Sequence, residues 1–426
     1  MARDIVTAVP MPAAYRRLQL ATAVDSIGDG AFAAAMPLLA VTITHDPRLV
    51  SVVSAATFLP WLLLSLPLGA LVDRRERISL MWRSQVVQAL AVMVIAVLAA
   101  FGEAGIGALA ALAFAMGGCE VLFGITAQSV LPDLVPKDQL HRANGQQYAV
   151  MTAAQLFIGP PLGSLLFGIG IALPFGADAA SFAISAALLA TLPRIRREPT
   201  THPPLRTSIG EGVHWLAGNR LLRTLALLLG VNNFCGQFGN ATLVLLATQV
   251  LHVSARGYGV LLAGAAIGAV VGGLVNATVV RWLGETRALL TAMAGMAATY
   301  LGMGLSTDLV ELGAFMAVNG FLVTLWNIVT VTFRQQLVPP ELLGRVNSVY
   351  RMIGWGLMPL GAIAGGYVAR WLGLRAPYVV AAGLRISVFV LAVPVLLAAL
   401  RLAQCRTDAV GLPHAEPDPP GRVVRR

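Results

Sequence analysis

The sequence predicts an all-α membrane protein with twelve transmembrane helices in two pseudo-symmetric six-helix bundles. Three observations support this fold class. Hydrophobic residues make up 57% of the 426 residues and charged residues only 12%, which is far from the balance of a soluble domain. The apolar residues collect into blocks of roughly 20 to 25, long enough to cross a bilayer as helices. The pattern V-P-x-[DE]-x-L-x-R-x-N occurs twice, at residues 135–144 and 338–347.

The repeated pattern indicates that the chain contains a duplicated membrane unit. A second pair of similar segments, 69–73 and 272–276, falls in the same register as the first pair. Two motifs at one common spacing are typical of two halves related by an axis along the membrane normal, which is a parallel-repeat transporter architecture. Chance similarity between polar loops is the alternative, and the equivalent positions of the paired loops argue against it.

The elements follow from the apolar blocks and from the charges between them. Arginines and lysines cluster in alternate short loops, and this bias predicts that both termini lie in the cytoplasm, which requires an even number of spans. The predicted spans are 18–44, 50–72, 79–101, 104–131, 143–168, 171–193, 220–250, 257–282, 286–306, 309–334, 345–371 and 376–401.

The chain is accordingly divided into five parts. Residues 1–17 are predicted to form a cytoplasmic tail, 18–193 the N-terminal bundle and 220–402 the C-terminal bundle. The cytoplasmic linker, 194–219, contains a capping-box pattern that predicts a short amphipathic helix, with a solvated tether as the alternative. The Pro-rich segment 403–426 is predicted to be a disordered cytoplasmic tail.

Composition and motifs exclude several classes of function. The net charge of +10 does not indicate a nucleic-acid partner, because the basic residues lie in alternate loops rather than on one folded face. No phosphate-binding loop, nucleophile elbow or metal-ligand pattern occurs in the sequence, so neither an enzyme nor a metal or other cofactor is predicted. An ion or proton gradient is then the expected energy source.

Acidic residues inside the apolar blocks are the candidates for proton coupling. A charge near the middle of a bilayer costs about 2.5–3.5 kcal/mol on insertion scales, so such residues are functional candidates. Asp25 and Asp29 are four residues apart and share one helix face, which suits reversible protonation in a cavity. Glu120 lies centrally in the fourth span and Asp178 in the sixth. The alternative roles are capping or pairing for Asp25, and structural hydrogen bonds for Glu120 and Asp178.

The second half has amides where the first half has acids. The segment D-S-I-G-D at 25–29 corresponds to N-F-C-G-Q at 233–237, and an amide keeps hydrogen bonding but does not titrate. Proton coupling is therefore expected in the first half. Candidates for the substrate cavity are Asn232, Asn233, Trp326, Asn327 and Arg385. Helix-to-helix hydrogen bonds and interfacial anchoring are the alternative for the amides and the tryptophan. The arginine either pairs with a bundle carboxylate or faces a water-filled crevice.

The loop after the second span resembles a signature of the major facilitator superfamily. Its sequence, G-A-L-V-D-R-R-E-R at 69–77, is similar to G-x-L-a-D-r-x-G-r-k. Gly69, Asp73 and Arg77 match, and Glu76 replaces the second glycine. The resemblance implies that this loop is a cytoplasmic latch that holds the two halves together in one state. A loop pair without a gating role is the alternative. Arg142 and Arg345 of the repeated loop are assigned to the same gating region.

Two further segments resemble subgroups of that superfamily. Gly159, Pro160 and Gly163 match the G-P-x-x-G motif of drug/proton exporters, in which proline and glycine kink the helix and permit close packing. The fourth span lacks the arginine of multidrug antiporters. Together with the repeated loop, this is similar to enterobactin-exporter-like and macrolide-efflux-like proteins.

The resemblance implies a secondary transporter that works by alternating access. The expected function is export of an amphipathic small molecule, such as a drug or a siderophore-like metabolite, by proton antiport. The expected partners are that substrate, protons and the lipid bilayer, with a monomer in the bacterial cytoplasmic membrane. Uptake or lipid flipping by the same fold, and a scaffold or sensor that does not transport, are the alternatives.

Overall fold

The computed structural model describes residues 11–136, 139–193 and 205–410, and within these ranges the chain is helical without a β-strand. A π-helical segment at Ala153–Ile158 interrupts one predicted span, and another at Leu246–Val250 ends a second one. The α-helices are α1 (Ala13–Ile43), α2 (Pro47–Leu63), α3 (Ser65–Arg74), α4 (Arg77–Phe101), α5 (Ile106–Leu134), α6 (Leu140–Thr152), α7 (Gly159–Ile169), α8 (Leu173–Ala190), α9 (Leu205–Gly218), α10 (Arg220–Leu245), α11 (Ala255–Leu283), α12 (Glu285–Leu305), α13 (Leu309–Leu337), α14 (Pro340–Gly356), α15 (Met358–Leu372) and α16 (Ala376–Val410).

Helical segments lie at each of the twelve predicted spans. Among the described residues, ten helices are long and apolar enough to cross a membrane. The other two predicted spans correspond to α2 with α3, which is broken at Leu64, and to α10 with the π-helical segment that follows it. The all-α membrane fold is therefore confirmed, and the count of twelve stays a prediction with which the helices agree.

The two halves repeat the same packing arrangement. In the first half α1 packs against α7 and α8, α4 against α5 and α8, and α2 against α5. In the second half α10 packs against α15 and α16, α12 against α13 and α16, and α11 against α13. Each contact of the first half thus has its counterpart in the second, as a duplicated bundle requires.

Capping residues fix where several helices begin. The side chain of Asp46 accepts a hydrogen bond from Arg48 N at the start of α2, at 2.9 Å. Asp308 accepts from the backbone at the start of α13, and Asn219 does so at the start of α10, from Leu222 N at 3.1 Å. Such caps satisfy backbone N–H groups that have no partner within the helix.

The boundaries of the predicted parts differ in detail from those of the helices. The first helix begins at Ala13, so it includes the end of the segment predicted as a tail. α9 lies within the predicted linker, and the linker residues 194–204 lie outside the described residues. α16 continues through Val410, past the predicted end of the bundle at residue 402, and 411–426 lie outside the described residues.

The two bundles are packed together at one end of the molecule. We call this the arginine-poor end, and it carries the loops after α1, α4, α7, α10, α12 and α15. There α2 packs against α15 and α7 packs against α11. The His45 ring and the Gln249 side chain, one from each half, are hydrogen bonded at 2.9 Å. The described helices thus close the cleft between the halves at this end.

Candidate functional site

A cavity of about 260 Å³ lies between the helices of the first half and α10 of the second half. Most of its wall is apolar, as expected of a site for an amphipathic small molecule. Its polar lining comes from two acids, three amides and two hydroxyl residues. These residues are Asp29, Glu120, Gln88, Gln155, Asn240, Ser54 and Thr57.

The four acids predicted from the sequence converge on one region of the first half. Asp29 of α1 and Glu120 of α5 line the cavity and are half-buried. Asp25 and Asp178 lie behind the cavity, with exposed fractions of 5% and 0%. Their charges are close enough to act on one another, and the described charges that act on Asp29 are those of the other three acids.

Buried glutamines of α4 accompany these acids. Gln85 lies beside Asp25, and Gln88 lines the cavity. Both glutamines are almost fully buried, with exposed fractions of 0% and 3%. The amide nitrogen and the amide oxygen of Gln85 both lack a hydrogen bond of good geometry. Oδ1 of Asp25 also lacks a hydrogen bond. Polar groups in this condition are costly to bury, so a proton or a polar ligand would gain by binding here.

Asp178 is held by its own helix and packs on α1. The hydroxyl of Ser181 donates to the backbone oxygen of Asp178 at 2.8 Å and to its carboxylate at 3.2 Å. Gly28 of α1 lies directly against these two side chains, and a methyl group at that position would overlap both. Asp178 therefore has a structural contact, while its second carboxylate oxygen has no hydrogen bond.

The G-P-x-x-G segment lies where α7 approaches α1 most closely. A side chain at Gly159 would overlap the backbone of Gly30, and one at Gly163 would overlap the backbone of Ala31. The π-helical segment before Gly159 places Gln155 on the cavity wall. Close helix approach through small residues is usual in membrane bundles, and here it positions α1, which carries Asp25 and Asp29.

The candidates in the second half separate into two groups. Asn232, Trp326 and Arg385 line a second, smaller cavity of about 30 Å³. Asn233 instead donates to Gly354 O at 3.0 Å, which joins α10 to α14. Asn327 is exposed on α13. The described lining of the larger cavity contains none of the five, so the structure does not bring them together with the acids, and their contact with a substrate stays a prediction.

The structure describes the side chains of some of the predicted latch residues and not of others. Arg77 donates to Ser129 O at 2.9 Å and lies 3.4 Å from Asp133, so it joins α4 to α5 within the first half. Glu76, which replaces the motif's second glycine, accepts hydrogen bonds from Ile78 N and Ser79 N and so caps the start of α4. Gly69 lies on α3 and Arg142 is exposed on α6. The side chains of Asp73 and Arg345 lie outside the described residues.

An aromatic contact joins the halves where α2 and α14 end. The rings of Trp61 and Trp355 lie 4.4 Å apart, and the Arg351 guanidinium lies over the Trp61 ring at 5.1 Å. α2 therefore contacts the second half at both of its ends. It contacts α15 near the arginine-poor end and α14 through Trp61 at its other end.

Several polar residues of the site were not found from the sequence. Gln85, Gln88, Gln155 and Asn240 are neutral residues within apolar blocks, and the neutral candidates predicted within such blocks are instead Asn232, Asn233, Trp326 and Asn327. Their signal was nevertheless available, because a buried amide in a membrane span also needs a partner.

Comparisons with known proteins identify the family. The model of the Major Facilitator Superfamily matches residues 18–359. Macrolide efflux protein A of Streptococcus pyogenes is 24% identical over 343 residues, which cover 78% of this chain and 83% of that protein. The MFS-type transporter YfiS of Bacillus subtilis is 25% identical over 380 residues, 86% of this chain and 89% of its own length.

Solved structures show the same fold at low sequence identity. The nucleoside transporter NupG has a TM-score of 0.68 and 13% identity, covering 91% of this chain and 99% of its own. A bacterial homologue of the iron transporter ferroportin, in the inward-facing state, has a TM-score of 0.67 and 17% identity, covering 89% of this chain and 98% of its own. The family places the chain among transporters of small molecules rather than enzymes, and the chain is a multi-pass membrane protein that belongs to the Major Facilitator Superfamily.

Proposed function

We propose that this transporter exports an amphipathic small molecule in exchange for protons. The single observation that carries the proposal is the convergence of four acids on a largely apolar cavity at the interface of the two halves. Like charges close together disfavour simultaneous ionisation, so protonation of this group changes the electrostatic environment of a bound molecule. Because binding free energies are linked reciprocally, a proton that weakens binding of the molecule is itself bound more weakly when the molecule is present.

Asp29 and Glu120 are the proposed coupling residues, because both line the cavity itself. Asp25 is the proposed partner one helical turn behind Asp29, and Asp178 supports α1 through Ser181 and Gly28. Proton entry to Asp29 or Glu120 would then weaken substrate binding in the state that opens outward.

The direction of transport is proposed from the relatives named macrolide efflux proteins, which are exporters by name. The cleft is closed at the arginine-poor end, which the positive-inside bias makes the outer one, and transporters of either direction pass through such a state. In this state an exporter would receive its substrate from the cytoplasm or the inner leaflet. The proposed location is the bacterial cytoplasmic membrane, with both termini in the cytoplasm and a monomer as the working unit.

The test measures efflux with inverted membrane vesicles, in which export becomes accumulation. A macrolide and an amphipathic fluorescent dye are the probes, with and without a protonophore. Wild-type protein is expected to accumulate a probe only while the proton gradient is present. Asp29→Asn and Glu120→Gln are expected to remove gradient-driven accumulation while leaving exchange between probe molecules intact, because exchange needs no net proton movement.

A matched control is Glu103→Gln, which neutralises an exposed acid in the loop between α4 and α5. It is expected to transport like wild type. Accumulation that survives the protonophore, or that survives both cavity substitutions, would refute proton coupling at these residues. Uptake by the same fold would reverse the sign of the vesicle signal. A scaffold or sensor would give no accumulation with wild type, and Asp29→Asn and Glu120→Gln would change nothing.

A further inference from the structure

We propose that the second bundle contains a binding site for a small monovalent anion, formed by Arg385 and Trp326. The site is the cavity of about 30 Å³ among α10, α12, α13 and α16, separate from the acid-lined cavity. A cavity needs roughly 10–15 Å³ to hold one water molecule, so this one has room for a small ion such as chloride or for a single carboxylate group.

Both residues are deeply buried and have hydrogen-bond donors without partners. Trp326 is 1% exposed and Arg385 is 7% exposed. The indole Nε1 of Trp326 and the guanidinium Nε of Arg385 have no hydrogen-bond acceptor among the described residues. An indole N–H and a guanidinium can only donate. A site lined by unsatisfied donors is suited to an acceptor, and most strongly to an anion.

The rest of the guanidinium is fixed in place. Its Nη1 donates to Met296 O and its Nη2 to Asn232 O, each at 3.2 Å. The Tyr300 ring lies beneath it, with 3.8 Å from Cζ to the ring centroid. The Cys235 thiol and the Tyr300 hydroxyl are also adjacent; both are neutral, a thiol is only a weak acceptor, and the hydroxyl donates its own proton to Gly236 O. These neutral contacts orient the guanidinium without neutralising its charge.

The sequence of the second half provides no counter-ion for this arginine within the membrane. Between residues 220 and 402 the acidic residues are Glu285, Asp308, Glu311 and Glu341. All four lie in loops or first turns of helices, whereas Arg385 lies well inside α16. A buried charge without a partner is strongly unfavourable, and a bound anion would remove that penalty. The charges described as acting on Asp25, Asp29 and Asp178 of the first half are those of other membrane acids, and Arg385 is not among them.

The experiment measures anion binding directly and does not depend on transport. Purified protein in detergent is heated in sodium gluconate, whose anion is too large for the cavity, and chloride replaces gluconate at constant ionic strength. Because a ligand that binds the folded state stabilises it, chloride is expected to raise the Tm of wild type in a saturable manner. Formate is the second probe: a rise with formate would indicate that the site accepts a substrate's carboxylate, and a rise with chloride alone would indicate a free halide.

Variants assign the effect to this cavity. Trp326→Phe keeps an aromatic ring at this position but removes the indole N–H donor. The apparent affinity for chloride is therefore expected to fall about tenfold. Arg385→Gln is expected to abolish the rise. Arg334→Gln is the matched control, since Arg334 also lies over a tyrosine ring, at 4.6 Å from that of Tyr350, but lines neither described cavity. It should keep the full effect.

Three results would overturn the proposal. The first is a wild-type Tm that is the same in gluconate, chloride and formate. The second is a chloride effect that Arg334→Gln abolishes and Trp326→Phe leaves unchanged. The third is an unchanged ³⁵Cl NMR linewidth when wild-type protein is added to chloride, a measurement that remains informative if Arg385→Gln fails to fold. Because each readout is binding in the absence of transport, failure here leaves proton-coupled export untouched.

Discussion

Two glycines at the arginine-poor end should control the balance between the two states of an alternating-access cycle. Gly259 of α11 faces Ser164 of α7, and Gly366 of α15 faces Ser51 of α2. The two contacts are related by the duplication, because α11 corresponds to α2 and α15 corresponds to α7. Substitution of either glycine by alanine adds a methyl group to the interface that closes the cleft.

The magnitude follows from the space at each position. At Gly259 the new Cβ would lie 2.8 Å from Ser164 Cβ. At Gly366 it would lie 2.6 Å from Ser51 Cβ and 2.8 Å from Pro47 O. Extra methyl groups in a packed site cost about 1–3 kcal/mol, and here the cost applies only to the state in which these surfaces touch. Each alanine should therefore shift the equilibrium roughly 5–150-fold toward the state open at this end.

Gly273→Ala is the control for the helical propensity of alanine. Gly273 is on α11 like Gly259, and no atom lies within 4 Å of the position that its Cβ would occupy. Both substitutions gain the propensity of alanine, at most about 1 kcal/mol, but only Gly259→Ala disturbs the interface. A difference between them therefore reports the contact between the halves.

The assay is a distance measurement between spin labels on the two halves. Glu103 and Thr307 are exposed in loops at the arginine-poor end, one in each half, and both are replaced by labelled cysteines in a background without the native cysteines. A longer distance is expected to gain population in Gly259→Ala and Gly366→Ala, and most in the double variant, because distant sites add. Identical distributions in these variants and in Gly273→Ala would show that the cleft is not opened by separation at this end.

Three other predictions concern contacts outside the cavity. Arg48 holds the pKa of Asp46 below its usual range, chiefly through a side-chain hydrogen bond. The stabilisation by the Asp46 carboxylate is therefore present at neutral pH and is lost as the pH falls through that lowered pKa. Asp46→Ala should cost about 1 kcal/mol at pH 7, and its Tm should approach that of wild type in acid. Arg77→Gln should lower the Tm without changing the label distance, because its described contacts with Ser129 and Asp133 lie within one half; a changed distance would instead indicate a latch between halves. Conversely, His45→Ala should lengthen the label distance with little change in Tm, since its hydrogen bond to the second half is exposed; an unchanged distance would exclude a role in closure.

The helices could be predicted from the sequence because their determinants are local. Blocks of apolar residues, capping residues such as Asp46 and Asp308, and the repeated loop motif specify where spans begin and end and how the halves correspond. The four acids could be identified for a similar reason. A carboxylate within an apolar block has few favourable positions in a membrane bundle except its interior.

The roles of neighbouring polar residues could not be predicted, because they depend on the rotation of each helix. Asn232 and Asn233 are adjacent, yet the first lines the small cavity and the second bonds to α14. Successive residues of a helix point about 100° apart, so a change of one position decides the outcome. Trp326 and Asn327 differ in the same way, one buried and the other exposed. Such assignments require the positions of helices that are distant in sequence.

The distribution of buried charge suggests why the two bundles can move against each other. The membrane-buried acids lie in the first half, and the arginine that is most deeply buried among those described lies in the second. An ion pair between the halves would have to break in every cycle, and separation of a buried pair costs several kcal/mol because each charge loses its partner. If protons neutralise the acids and a small anion neutralises Arg385, the buried charges of each bundle are neutralised within that bundle. The interface between the halves can then consist of small residues, serine hydroxyls and aromatic rings, whose contacts are far less costly to separate and re-form.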